Sequence, residues 1–243
     1  MSDKSKADQD YHNRIAAEYF SRHRWPIQRY TCQIEKKWIT KYIPKDSNVL
    51  VAGCGGGREI PWLLNNGCCC TGYDYAQEMI DLAKHVHGES EKLSWIQGDI
   101  HCVSDIKTSF DVVLCLAAIN YFENIPKSVE QMAAALKPGG RMIISSINQN
   151  HPTEIGFDSN ATKSNRRPLN TQELSSILID ADFTIYKILQ FRILPDLLPP
   201  KWNRVDAPLL KRLCIETSIF LDQMWRFLPR QEGKFFWIVA DKA

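Results

Sequence analysis

Four glycines fall within five residues, at Gly53, Gly55, Gly56 and Gly57, between an apolar run at 48–52 and an amphipathic stretch at 58–66 that stops at Asn65-Asn66-Gly67. Positions without a Cβ let the main chain bend through conformations closed to other residues, and let another group lie directly on the backbone. A strand, a glycine turn and a helix in this order put the turn and the helix N-terminus at the carboxyl end of a strand, the edge where ligands of open α/β sheets bind.

The same alternation continues along the chain. Strands are expected at 48–52, 68–74, 93–97, 110–116, 141–147, 183–191 and 235–240, with helices at 77–87, 127–136 and 171–181 between them. The segment 110–116 is almost wholly apolar, as a central parallel strand covered on both faces must be. In the helix at 77–87, Met79, Ile80, Ala83 and Val86 face inward, Thr171 caps the helix at 171–181, and Lys137-Pro138-Gly139-Gly140 ends the one before it. This order predicts an α/β fold with a doubly wound, mostly parallel seven-stranded sheet. Residues 11–43 carry apolar and aromatic side chains at helical spacing, interrupted at Pro26, and read as two helices.

Two stretches fall outside the alternation, 148–170 and 195–231, the second rich in proline and apolar residues. Long connections in a compact domain are commonly functional, so both are assigned to a substrate side, with 195–231 as a lid insertion. The expected organisation is a single domain over 1–243, with 1–47 as a helical cover, 48–147 as a ligand-binding core and 148–243 as the substrate-side half.

Composition removes several classes. No segment offers the roughly 18 uncharged apolar residues that a membrane helix needs. The start, MSDKSKADQD, lacks a signal-peptide core, so membrane insertion is not expected and a cytoplasmic location is. A net charge of +2 sets up no field that would gather nucleic acid, although 163–167 is a local basic patch able to meet an anion. The 8 cysteines include the run Cys68-Cys69-Cys70 but no metal-ligand spacing, and they read as compact buried thiols with no metal site.

Asp74 ends the second strand about twenty residues beyond the turn, where a nucleoside-binding fold places an acid for the ribose hydroxyls. Asp99 ends the third, in a position to receive an adenine amino group. The dinucleotide fingerprint G-x-G-x-x-G, counted from Gly53, demands glycine where this chain has Arg58. That argues against a nicotinamide-dependent oxidoreductase and leaves the form G-x-G-x-G, over which an amino acid moiety can lie.

VLVAGCGGG, the acid of GYD, GDI, FDVVLCLAAINYF and LKPGG occur in that order and together resemble the successive motifs of class I S-adenosylmethionine-dependent methyltransferases, strongly over about 48–147. YHNRIAAEYF and RPLNTQELSSILIDADF are similar to the small-molecule branch more loosely. The resemblance implies a Rossmann-like methyltransferase fold with S-adenosyl-L-methionine as cofactor. By position it implies that Gly53, Cys54, Gly55 and Gly57 approach the methionine part and that Asp74 holds the ribose. Tyr75 and Met79 would flank the adenine, Asp99 and Ile100 would bracket its edge and ring, and Leu116 and Ala117 would meet the methionine portion through backbone groups. One departure stands out: Val51 occupies the place of an acid that usually helps to fix the turn.

A sulfonium already activates its methyl group, so the chain chiefly has to position an acceptor and exclude water. For a hydroxyl acceptor a histidine base suits, and His151, just after the fifth sheet segment, is the first candidate. Tyr19 is the expected cover over the cofactor, with Tyr11 and Arg24 beside it, while Tyr121 and Phe122 either line the site or pack. His85, His87 and His101 read as solvated. The absence of [DNS]PP[YFW] and of a Pro-Cys pair favours a small-molecule acceptor, methylated at oxygen, with a non-catalytic cofactor-binding module as the alternative.

Overall fold

A computed structural model describes residues 3–16, 19–22, 25–154, 166–192, 198, 208–225 and 233–243. Seven strands form one sheet: β1 Asn48–Ala52, β2 Cys69–Asp74, β3 Leu93–Gln97, β4 Phe110–Leu116, β5 Leu136–Ile147, β6 Phe183–Phe191 and β7 Phe235–Lys242. Their order is β3-β2-β1-β4-β5-β7-β6. β7 runs antiparallel to both β5 and β6, and the other neighbouring pairs are parallel. The chain starts in the middle of the sheet at β1, moves outward through β2 and β3, then returns to β4 on the other side. The crevice at that reversal lies at the carboxyl ends of β1 and β4, where open α/β sheets take their ligands.

Strand periodicity divides the core in two. Val49 and Val51 of β1 point into one layer and Leu50 and Ala52 into the other. The first layer is closed by α3 Pro26–Tyr42, α4 Ile60–Asn65 and α5 Gln77–His87, through Ile34, Trp38, Leu63 and Ile80 among others. The second is closed by α6 Ile125–Ala134 and α7 Thr171–Asp180, through Val129, Met132, Leu174 and Leu178. Two further helices, α1 Asp3–Ile15 and α2 Tyr19–Arg22, precede α3, and α8 Leu209–Trp225 packs against α3. Tyr30 on α3 donates from Oη to Asp222 Oδ2 on α8 at 2.6 Å, both side chains buried.

The elements differ from expectation where one residue type serves two structural ends. Pro26 opens α3 at its first turn, where it costs no hydrogen bond, and the segment before it holds two helices where one was expected. α6 runs Ile125–Ala134, capped by Asn124, and Lys137 to Gly140 lie inside a 12-residue β5 that pairs Phe110 with Leu136 before a register shift. Asn170, not Thr171, caps α7, its side chain accepting from Glu173 N at 2.7 Å. Val86, expected inward, is exposed. Much of 195–231 and Lys163 of the basic patch lie outside the described residues. No helix among the described residues is long and apolar enough to cross a membrane.

Candidate functional site

The turn after β1 holds three glycines in left-handed backbone, Gly53, Gly55 and Gly57 at φ 68°, 50° and 75°, which other residues adopt only with strain. It is pinned from β2: Gly53 N and Cys54 N both donate to Tyr73 O, at 2.8 and 3.1 Å. Gly55 N donates to Asp74 Oδ2 at 2.8 Å, and Asp74 Oδ1 accepts from Ala76 N at 3.0 Å. Asp74 therefore closes the turn from the neighbouring strand, the task that Val51 cannot perform. The helix begins only at Ile60. The N–H groups of Gly53, Cys54 and Gly55 are thus engaged by β2, and a ligand meets the bare Cα surface rather than a helix N-terminus.

Above this turn is a cavity of about 360 Å³, a size suited to a small organic ligand. Its wall runs in order across the sheet edge. Gln97, Gly98, Asp99 and Ile100 stand at the end of β3, Asp74 and Tyr75 at the end of β2, Gly53 to Gly55 after β1, and Leu116, Ala117 and Ala118 at the end of β4. Asp99 also caps the short 3-10 turn at Ile100–Asp105, accepting from His101 N at 3.0 Å. Ala117 adopts φ 56° and donates from N to Ser145 Oγ at 2.8 Å. A non-glycine residue held in that region beside a cavity is backbone strain retained at a site. Buried Asn120 ties the segment after β4 to β5, donating to Ser146 Oγ and accepting from Ile147 N, which positions Tyr121 and Phe122 on the wall.

The cover comes from the N-terminal helices. Gln9 on α1 donates to Tyr75 O at 2.6 Å, and His12 Nδ1 lies 2.9 Å from Tyr75 Oη. The His12 ring stands edge-on to Tyr121, with centroids 4.9 Å apart. Tyr19 on α2 lies over the glycines: a Cβ on Gly55 would meet its Oη at 3.0 Å. Burial, with Glu59 nearby, keeps the Tyr19 phenol protonated.

A charged cluster forms the wall beyond the turn. Arg58 Nη2 is 2.9 Å from Glu35 Oε2 and 2.6 Å from Glu59 Oε1, and both carboxylates are almost fully buried. Burial alone would favour neutral Arg58, but Glu35 and Glu59 more than offset it and hold the guanidinium charged. Burial raises the Glu35 carboxyl to about 7, against the pull of Arg58 and with the repulsion of Glu59. Asp74 is likewise raised by burial, with the Ala76 and Gly55 amides opposing the rise.

The structure brings Gly53, Cys54, Gly55, Asp74, Tyr75, Met79, Asp99, Ile100, Leu116, Ala117 and Tyr19 onto one cavity, with Tyr121 and Phe122. Gly57 does not join them: a Cβ there would lie 2.5 Å from the Trp95 ring, so this glycine makes room for the core. His151 is not on the wall either. It is fully buried after β5, with Nδ1 2.9 Å from Thr153 Oγ1. His87 and His101 are not simply solvated. His87 Nε2 lies 3.1 Å from Gly56 O and its ring stacks on Trp95, whereas His101 touches Asp99 and Ser128 and reaches the cavity. Tyr11 meets His12 edge-on without lining the cavity, and Arg24 lies outside the described residues. Sequence reasoning missed Gln9, His12, Arg58 and Glu59 as wall residues; for His12 the only available signal was its helical spacing of seven from Tyr19.

The family described as "Methyltransferase domain" matches residues 50–144. A ubiquinone biosynthesis O-methyltransferase of Coxiella burnetii is 32% identical over 120 residues, which is 48% of this chain and 51% of that protein. The chain thus spans about half the length of the curated relatives it matches. Among solved structures, a SAM-dependent methyltransferase of Thermotoga maritima, described as a possible histamine N-methyltransferase, superposes with a TM-score of 0.63 at 18% identity, over 95% of this chain and 97% of that one. The N-methyltransferase NodS of Bradyrhizobium japonicum, solved with S-adenosyl-L-homocysteine, gives 0.60 at 15% identity over 90% and 89%.

Proposed function

We propose that this chain, whose residues 50–144 match the methyltransferase-domain family and whose fold is shared with SAM-dependent methyltransferases, is an enzyme that moves a methyl group from S-adenosyl-L-methionine to an oxygen of a small acceptor. The observation that carries the reading is the single cavity onto which Asp99, Asp74 and the glycine turn open in that order, the sequence of base, sugar and amino acid along the cofactor. The residues present fit that group. Asp74 uses one lone pair of each oxygen on the backbone and keeps others for a ribose diol. Tyr75, Met79 and Ile100 supply apolar faces for a purine, and Asp99 supplies an acceptor at its edge. Oxygen as acceptor atom rests on the O-methyltransferase named above.

When bound, the cofactor supplies a methyl group activated by its sulfonium. The chain's own work is to position and to exclude water. The short α2 and the longer α1 close over the glycines and Tyr75, so that an acceptor entering beside Tyr121 and Phe122 is held against the sulfur end in a dry space. The proton of a hydroxyl acceptor goes to His12 in this reading. It stands on the Tyr121 side, whereas His101 has both ring nitrogens within reach of Asp99 and Ser128. His151, withdrawn from the wall, is set aside for this role. With eight free thiols the protein suits a reducing, cytoplasmic setting.

Calorimetric titration with the cofactor, followed by transfer of labelled methyl to a panel of hydroxylated and aminated aromatic compounds, tests both halves. Binding with label on a hydroxyl is the expected result. Label on amines alone overturns the oxygen assignment, and no binding overturns the cofactor. Binding with no transfer to any acceptor selects the second reading, a cofactor-binding module without turnover.

A further inference from the structure

The cluster of Glu35, Arg58 and Glu59 carries a charge imbalance that the fold itself does not settle. Two nearly buried carboxylates share one guanidinium, with Glu59 Oε1 taking both the Arg58 Nε contact at 2.9 Å and the Nη2 contact at 2.6 Å. Glu35 Oε2, though 2.9 Å from Arg58 Nη2, accepts no aligned hydrogen bond among the described residues. Among the described residues, Arg58 is the cation in direct contact with Glu35. Arg192, at the end of β6, acts on Glu35 from a distance, but its guanidinium contacts Thr31 Oγ1 at 3.2 Å and lies over the Phe235 ring. On α8, buried Asp222 pairs with Tyr30, while Cys32 on α3 and Tyr19 on α2 are held neutral by burial. Among the described residues, the nearly buried carboxylates of Glu35 and Glu59 thus share direct contact with one guanidinium, that of Arg58. A buried charge left without a partner is costly.

The cluster reaches the cavity through Arg58 and Glu59, whereas Glu35 does not line it. Glu59 and Arg58 line the wall beside Cys54 and Gly55, opposite the Asp99 end. A nucleoside with its base at Asp99 and its ribose at Asp74 therefore directs its 5′ substituent toward Glu59. The sign of the excess repels a carboxylate there and attracts a cation. We propose that Glu59, held in place by Arg58 and Glu35, is the seat of the α-ammonium group of the bound cofactor. The seat rests on the S-adenosylmethionine reading above and adds to its backbone contacts a charged side chain for the amino acid end of the ligand.

One consequence concerns protons. With the cavity empty, the excess negative charge and burial keep Glu35 partly protonated near neutral pH. A cation seated beside Glu59 favours the ionised form, so Glu35 gives up its proton to solvent as the ligand binds. Affinity then rises with pH between about 6 and about 7.5.

The test uses three ligands: S-adenosylmethionine, S-adenosylhomocysteine and 5′-methylthioadenosine, the last with neither ammonium nor carboxylate. Glu59→Gln is expected to weaken the first two at least tenfold and leave the third within about twofold. Glu35→Gln, which keeps the Arg58–Glu59 pair, weakens the first two less and abolishes the buffer-dependent part of the wild-type binding enthalpy near pH 7. Equal weakening of all three ligands by Glu59→Gln, unchanged binding of the first two, or a wild-type enthalpy independent of buffer overturns the seat while 5′-methylthioadenosine binding keeps the adenosine reading intact. If the wild-type protein binds none of the three, both readings fall.

Discussion

Asp74 Oδ2 accepts from Gly55 N at 2.8 Å, so the carboxylate that faces the cavity also latches the glycine turn across two strands. Asp74→Ala is expected to lose charge-assisted hydrogen bonds worth roughly 1.5–3 kcal/mol each and to weaken cofactor binding at least about tenfold. Because the Gly55 and Ala76 amides lose their acceptor as well, the melting temperature of the unliganded protein falls too. Unchanged affinity in a folded variant would remove Asp74 from the ribose.

Gly53 combines two constraints of which Gly139 shows only the first. Its φ is 68°, and a Cβ would stand 2.3 Å from Ala118 Cβ on the opposite wall, whereas Gly139 at φ 70° has nothing within 4 Å. Left-handed backbone costs a non-glycine residue about 1–2 kcal/mol, so Gly139→Ala lowers the melting temperature by a few degrees. Gly53→Ala adds the clash, lowers it further and narrows the cavity between β1 and β4. Equal thermal shifts in the two variants would show that the close approach to Ala118 carries no weight.

Much of this site was legible because the strands are short, apolar and parallel: 93–97 and 110–116 were read at the bounds the structure has, and each fixes the residue at its carboxyl end. Asp74, Asp99 and Ala117 could thus be placed by counting. What counting cannot supply is packing across long separations. Gln9 and His12 reach Tyr75 from α1, more than sixty residues away, through side-chain contacts that leave no local pattern. Gly57 was misassigned because glycine signals missing volume without saying which neighbour uses it; here Trp95 does. His151 lies on the right edge of the sheet by sequence, yet the turn after β5 folds it inward.

His12 and His151 therefore make a paired test of the proton acceptor. His12→Gln is expected to lower kcat by about a hundredfold or more, the usual range for a lost general base, with cofactor affinity little changed. His151→Ala removes a buried ring and is expected to lower stability while retaining most of kcat in the folded fraction. Turnover assays with the acceptor found in the label-transfer panel, beside thermal melts, separate the two effects. The opposite pattern, kcat lost with His151 and kept without His12, would return the role to His151.

Glu35 links the site to stability in a direction opposite to that of an ordinary surface carboxylate. Its carboxyl is raised by burial from 4.5 to about 7 in the folded protein. Between those values the unfolded chain releases the proton while the folded one retains it, so raising the pH favours unfolding. The contribution is fully present below about 4.5, is lost as pH rises toward about 7, and changes no further above that. Glu35→Gln is neutral throughout. The melting temperature of the unliganded variant relative to wild type should climb by several degrees across this window and then level off. Arg58 and Glu59 are common to both proteins, so their own titration largely cancels in the difference. A difference that stays flat from about pH 4.5 to about pH 8 would mean that Glu35 is ionised throughout, with Arg58 alone sufficient to hold both carboxylates.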